Sequence, residues 1–544
     1  MLSRSHSTRA AALALSCAIA LMQGCGGGGS DVGSQAPAPA PAPAPTPAVG
    51  DFLRVGISSS NVTAGKTVVF FDADRSEAPR LTVTLEPGQQ VSPLTTRRAD
   101  PVNHTFTDIG ESAAYFVQNG QVYRVGLKKT EATVARRVSS ITTACWVSQT
   151  DLLNSDETGW LGVMVAGPSG VCGTFNDRTV YVRPTDSEST APVVLPEGVM
   201  LLSALPDPSF THAIFMLVSD SRSGVDKLTL YRPDLTPAAD VAGGEAASGT
   251  RMLSSFPVPG RHWVAVNNQL KVLTWNSSGA TLSPAVLPSF AWHTPSLVDA
   301  EALYFVDGFK IQRITNEGAL QTLATLNAGL GSQIYLKGLA PNHLVVSQTF
   351  DSSDGTSLIA VPKRGGTAVT VGGGRALGIS GNTLYFEFAS DAFTPPVSAV
   401  YKVTLDGTPR SNVGQNARGR AQAISSRTFS DTNDRKIDGV LWCEATPASA
   451  VNCANGTVKM LDARTGTVTT LGHITHDSPF AEWETVDSFN PFGTIAQFSH
   501  LTMDAPFVFH SRSLTSGADS ILQFELYHAR PGVAGSLMRL SPSP

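Results

Sequence analysis

A short pattern returns three times in this chain and restricts its fold more than any other feature. Ala114–Val125 reads Ala-Tyr-Phe-Val-Gln-Asn-Gly-Gln-Val-Tyr-Arg-Val, and Leu303–Ile314 reads Leu-Tyr-Phe-Val-Asp-Gly-Phe-Lys-Ile-Gln-Arg-Ile. Leu384-Tyr-Phe-Glu-Phe388 starts the third copy, and Ala399–Leu405 completes it. Each copy is a short apolar strand, a turn and a second, alternating strand. A third strand is expected after each, at Ala132–Ala135, Leu320–Leu323 and Arg410–Val413. Small-residue segments such as Leu201–Leu205, Leu253–Phe256, Leu336–Leu339 and Ala376–Ile379 read as a fourth.

Further units begin near Leu161, Phe215, Val264, Leu344, Leu441 and Phe507. The spacing is about 40 to 65 residues, the period of a β-propeller blade. A four-stranded twisted sheet cannot bury both of its faces alone, whereas blades stacked around an axis bury each face against a neighbour. The expected fold is therefore all-β, a single large β-propeller of four-stranded antiparallel sheets. About eight blades are expected, with seven to ten allowed. Strand-like material at Phe52–Ile57, Thr67–Phe71 and Leu81–Leu85 stands ready to complete a blade from the other end of the chain. Two smaller propellers, or a stack of β-sandwiches, are the alternative arrangements. Charged residues make up only 15% of the chain, and 49 Gly and 35 Pro supply turns, as a turn-rich all-β body requires. The core Tyr304-Phe-Val-Asp307 resembles the Tyr-Trp-Thr-Asp blades of low-density-lipoprotein-receptor-type propellers, and the overall pattern is similar to TolB-type propellers. These resemblances imply the fold and no catalytic residue.

The first 50 residues carry a different message. Arg4 and Arg9 precede an apolar run from Ala10 to Met22, too short to span a bilayer, which takes about 20 residues. Behind it, Leu21-Met-Gln-Gly-Cys25 resembles the lipobox of bacterial lipoproteins. The resemblance implies cleavage of residues 1–24 and lipid attachment at Cys25. The residue after Cys25 is Gly26 rather than Asp, which implies the outer membrane. Several acyl chains on one cysteine make a lasting anchor, since each buried methylene contributes about 0.8 kcal/mol. Residues 25–50 read as a tether. Gly26–Ser30 is flexible, and the alternating Ala-Pro of Ala36–Ala48 favours a polyproline II spacer of roughly 40 Å. The propeller is expected over 51–544.

With Cys17 removed with the signal and Cys25 acylated, four cysteines remain. In an oxidising envelope they read as disulfides Cys145–Cys172 and Cys443–Cys453, the pairings nearest in sequence. No Cys-x-x-Cys spacing favours zinc.

Few motifs suggest chemistry. Gly65-Lys66-Thr67 lacks the glycine six residues before the lysine that a phosphate loop needs (Ser60 stands there), and reads as a hairpin turn. Asp431, Asn433 and Asp438 are candidate oxygen ligands for a hard cation, although Arg435 and Lys436 occupy the fifth and sixth positions of that loop. His473 and His476 are three apart in an expected loop, without a glutamate partner. Glu482 and Glu484 flank Trp483 on one strand. Trp263, Trp275 and Trp292 read as packing between blades, with a carbohydrate platform as the rival. Neither a Gly-x-Ser-x-Gly elbow nor His-Glu-x-x-His occurs. No cofactor is implied. A net charge of −5 points away from nucleic acid. The function expected is that of a monomeric binding or scaffold lipoprotein at the outer membrane, on its periplasmic face or at the cell surface. Its expected partner is an envelope protein, peptide or glycan. The alternative is a propeller enzyme acting on a polysaccharide or another envelope substrate.

Overall fold

The Tyr-Phe dipeptide of each repeat explains how the molecule is built. In a computed structural model, Phe116 packs toward the N-terminal sheet, in a cluster with Val55, Val68 and Phe70. Its neighbour Tyr115 packs the other way, with Leu161 and Val163 of the following sheet. Phe305 joins Trp263 and Ala265 of the preceding sheet, while Tyr304 joins Leu344 and Val346 of the following one. Phe386 sits with Val345 and Leu358, and Tyr385 with Leu441 and Val458. Successive residues of a strand point to opposite faces. The dipeptide thus places Phe against the blade before and Tyr against the blade after.

The structure describes residues 51–61, 65–72, 79–100, 105–150, 152–153, 157–174, 177–206, 213–247, 249–253, 260–291, 294–327, 332–349, 356–390, 397–407, 411–417, 421–424, 436–445, 455–475, 482–485, 507–515 and 521–540. All the regular elements among them are strands. From residue 92 onward they group into nine units in chain order: blade 1 (92–137), 2 (144–182), 3 (199–240), 4 (251–282), 5 (296–325), 6 (333–373), 7 (375–417), 8 (422–475) and 9 (482–540). Blades 1 and 3–6 are separate four-stranded antiparallel sheets with strands in sequence order. Blade 2 has three strands, with a single bridge from Tyr181 to Val193 in place of the fourth. Blades 7 and 8 are linked into one sheet by the lone pair Ala417–Glu444. The first strands of blades 5, 6, 7 and 8 touch one another in succession, so they converge on the axis.

The count is nine against a central expectation of eight. The nine starting points read from the sequence each fall in the second strand of a blade, for example Leu161–Val165 and His343–Thr349. The N-terminal strands do not complete a four-stranded blade. Arg54–Asn61, Gly65–Phe71 and Leu81–Leu85 form their own antiparallel set. Ser59–Asn61 pairs with Ile521–Gln523 of blade 9, which joins the two ends of the body through backbone hydrogen bonds. Gly65, at φ +95° and paired with Asn61, opens the strand Gly65–Phe71, so Gly65-Lys66-Thr67 is strand rather than the expected turn, and residues 62–64 between the paired strands lie outside the described residues.

Sequential antiparallel strands create two rims. One rim carries the turns between first and second strands and between third and fourth strands. The other carries the second-to-third turns and the links between blades. The first of these, the N-terminal rim, receives the first described residues: the Lys129 amide donates to Asp51 O at 2.8 Å and the Leu53 amide to Leu127 O at 2.6 Å. Leu127 and Lys129 lie in the turn after the third strand of blade 1, Gln121–Gly126. Asp72 is held there by Lys129 at 2.7 Å and Arg80 at 3.4 Å.

Candidate binding site

Both kinds of turn on the N-terminal rim meet across blades 5–8 and enclose a cleft of about 300 Å³. Asp299 comes from the turn after Ser296–Val298 of blade 5. Leu339, Ala340 and Pro341 come from the first turn of blade 6, and Lys363 follows its third strand, Thr356–Pro362. Ile379, Ser380 and Gly381 turn the chain between the first two strands of blade 7. Lys436, Ile437 and Asp438 precede the second strand of blade 8, Gly439–Ala445. The second strand of each of blades 5–8 is largely buried, so the turns are held on a stiff base while their tips stay open, as sites on propellers require.

The cleft has an apolar floor and charged walls. Leu339, Ala340, Ile379 and Ile437 are all buried. The Ile437 amide donates to Ile379 O at 2.9 Å, which locks blade 8 to blade 7 beneath the cleft. Asp299 is fully engaged. Its Oδ1 accepts from the amides of Glu301 (2.9 Å) and Ala302 (3.0 Å), a local turn bond that short acidic side chains favour. Its Oδ2 accepts from the Tyr304 hydroxyl at 3.2 Å and from Lys363 Nζ at 2.8 Å. Lys363 Nζ also lies 5.6 Å from the centre of the Tyr304 ring. Burial pushes the Tyr304 phenol well above its ordinary range, and the neighbouring Asp299 carboxylate pushes it further. Tyr304 is therefore a neutral hydrogen-bond donor at every physiological pH.

The equivalent tyrosines act in the same way at other interfaces. The Tyr115 hydroxyl donates to Glu157 Oε2 at 2.7 Å, across the interface between blades 1 and 2. Arg124, paired with Tyr115 across the strands, holds both Glu157 oxygens at 2.5 Å and also reaches Glu131 at 2.7 Å. Burial alone would raise the Glu157 carboxyl, but the hydrogen bonds from Arg124 and Tyr115 outweigh it and hold the carboxyl below its usual range. Tyr385 donates to Ala463 O of blade 8 at 3.5 Å. Tyr115 and Tyr385 thus place their hydroxyls on turns of the next blade, while Tyr304 bonds to a turn of its own, each finding the partner that a buried phenol needs.

The residues singled out in the sequence disperse. Cys145–Cys172 is bonded, with Cα atoms 5.6 Å apart. Cys443, buried in the second strand of blade 8, is disulfide-bonded, and Cys453 lies outside the described residues, as does Cys25. Of the candidate cation ligands, Asp438 lines the cleft beside Lys436, while Asp431 and Asn433 fall outside the described residues. Among the described residues no three His, Cys, Asp or Glu side chains gather in the manner of a metal site. His473 is not in a loop: it lies within the long strand Val468–Thr475, with Nε2 2.5 Å from Asn455 Oδ1, because the blade's fourth strand continues past Leu471. His476 is outside the described residues. Trp263 and Trp275 are buried on opposite faces of blade 4, in the interfaces with blades 5 and 3, which bears out the packing reading; Trp292 is outside the described residues. Glu482–Thr485 is a strand, of which the side chains are not described. The sequence reading missed Asp299 and Lys363, which lie 64 positions apart in the chain. Asp299 alone left a trace, as an acidic residue opening the tight turn before a Tyr-Phe strand.

No protein-family model and no curated protein matches this sequence. Solved structures do align. Oligogalacturonate lyase from Vibrio parahaemolyticus aligns at 8% identity over 67% of this chain and 97% of its own, with a TM-score of 0.28. A TolB described as putative, from Agrobacterium tumefaciens, aligns at 10% identity over 59% of this chain and 91% of its own, with a TM-score of 0.22. The GH74 enzyme of Niastella koreensis aligns at 12% identity over 89% and 80%, with a TM-score of 0.28. Likeness this distant carries no inference about function, and the propeller assignment rests on the sheets themselves.

Proposed function

We propose that this chain is an outer-membrane lipoprotein, held by acyl chains on Cys25, whose propeller is a binding or scaffold module for an envelope partner, with the cleft of blades 5–8 as its binding site. The observation that carries the reading is the make-up of the cleft. Three blades contribute turns to one apolar floor, and an acid on its wall from a fourth, Asp299, has both oxygens occupied by four donors. An acid so engaged positions Lys363 and Tyr304 and has no free lone pair aimed at a substrate. Apolar floors with a few fixed polar groups are the usual form of a binding pocket. The Cys25 anchor and the proline-rich tether support an envelope address, and the first described residues join the body on the rim that bears the cleft.

The test is a photo-crosslinking amino acid at position 380 of the full-length lipidated protein in intact envelopes, with one at Asn119, on the opposite rim, for comparison. The reading predicts a light-dependent adduct with an envelope component from position 380 and none from 119. No adduct from 380, or equal adducts from both, contradicts it.

A further inference from the structure

Lys363 sets the chemistry of the cleft. The residue is 8% exposed, so most of its side chain is buried and its ammonium is presented only toward the cleft. An ammonium carries three donors. Among the described residues Asp299 accepts one of them, at 2.8 Å, and the Tyr304 ring faces the charge from 5.6 Å. Two donors remain on a buried cation that lines an open cavity. Hydrogen bonds to a charged donor are strong, and more so away from bulk water, so an acceptor brought to this site gains more than one on the surface.

The rest of the cavity limits what brings that acceptor. Leu339, Ala340, Ile379 and Ile437 offer a continuous aliphatic floor, and Ser380, Lys436 and Asp438 stand around it. A cavity of about 300 Å³ is at the small end for ligands. It holds about one apolar side chain and the group attached to it. A Cβ on Gly381, which has φ +56°, would meet nothing within 4 Å, so the chain at the mouth leaves space for a ligand backbone to enter.

We propose that the cleft takes the C-terminal carboxylate of a peptide ending in an apolar residue, the carboxylate on Lys363 Nζ and the last side chain on the Leu339–Ile379–Ile437 floor. The inference rests on the cleft being the binding site and adds the chemistry of the partner. It makes the envelope partner a protein or peptide with an exposed, apolar C-terminus.

The test uses the full-length chain in detergent and titration calorimetry with acetyl-Ala-Leu, its C-terminal amide, and glucuronate. The acid should bind about tenfold or more tightly than the amide, as a charge-assisted bond lost from a buried cation requires. Lys363→Met should abolish the preference for acid over amide. Because Lys363 also pairs with Asp299, Ser380→Trp serves as a second variant that fills the cleft from a turn tip and leaves the ion pair intact; it should abolish binding at unchanged melting temperature. Equal binding of acid and amide, no binding of either, or glucuronate binding more tightly than the peptide acid each overturns the proposal. The two readings fail separately. A crosslink from position 380 without peptide-acid binding leaves the binding module standing and removes the C-terminus; no crosslink at all removes the site.

Discussion

Gly414 lies against the indole of Trp442: a Cβ built on Gly414 would sit 2.7 Å from Trp442 Cε2. Gly414 belongs to the fourth strand of blade 7 and Trp442 to the second strand of blade 8. The relationship recurs one interface earlier, where a Cβ on Gly372 would meet the Phe386 ring at 2.8 Å, and one later, where Gly472 faces Leu537 at 2.5 Å. A glycine on an outer strand makes room for a large side chain of the next blade. Both Trp442 and Phe386 are fully buried, so neither ring has space to retreat.

Gly414→Val should therefore destabilise the body by about 1–3 kcal/mol, the usual cost of overpacking a filled core. Denaturant unfolding of the variant should show a lower midpoint. Gly532→Ala, at an open turn with φ +69° and nothing within 4 Å of the added carbon, isolates the backbone cost alone and should be the milder change.

The Tyr115–Glu157–Arg124 contact ties blades 1 and 2. Glu157 titrates below its unfolded value, so its contribution is complete at neutral pH and is lost as the pH falls through the folded value. Glu157→Gln should cost about 3 kcal/mol at pH 7, because it leaves Arg124 without its main partner in a largely buried setting. It should also flatten this part of the acid limb of a stability–pH profile. Tyr115→Phe should cost about 1 kcal/mol and leave that limb in place, since Arg124 still holds the carboxylate.

His262 stacks on Trp275 with ring centres 5.1 Å apart, and burial pushes its pKa down to about 4. In the unfolded chain the imidazole takes up its proton near pH 6.5. Between those values the unfolded state binds more protons, so stability is complete above about pH 6.5 and falls as the pH drops toward 4. The loss is on the order of 3 kcal/mol. His262→Phe should remove that slope. An NMR titration of the His262 ring should show it neutral at pH 6; a midpoint at or above 6 would contradict the buried placement.

Cys145 and Cys172, separated by 27 positions, tie the loop after the second strand of blade 2 to its first strand. Replacing both by alanine should lower stability by about 3 kcal/mol, mostly by freeing the unfolded chain. Non-reducing peptide mapping should recover this pair from the native protein.

The repeat was legible because it is local. Alternation around Tyr115-Phe116, Tyr304-Phe305 and Tyr385-Phe386 is set by strand periodicity, and the starts near Leu161, Phe215 and Val264 follow from short apolar runs. Blade count was less legible. Blade 2 spends a long segment on a single Tyr181–Val193 bridge, and the N-terminal strands pair among themselves before meeting blade 9. The cleft was not legible. Lys363 meets Asp299 only because consecutive blades bring turns from distant parts of the chain to one rim, and nothing in either local sequence encodes that meeting. The role of the Tyr115 hydroxyl was hidden for the same reason: it finds Glu157 in the next blade's turn, 42 positions on.

The most direct test of the tethered-module account is fractionation of cells expressing the wild-type chain or Cys25→Ser. The account predicts wild-type protein in the outer-membrane fraction, carrying acyl chains on Cys25 by mass spectrometry. It predicts that Cys25→Ser appears in the soluble envelope fraction with an unchanged melting temperature. A Cys25→Ser protein that still partitions wholly with membranes would contradict it.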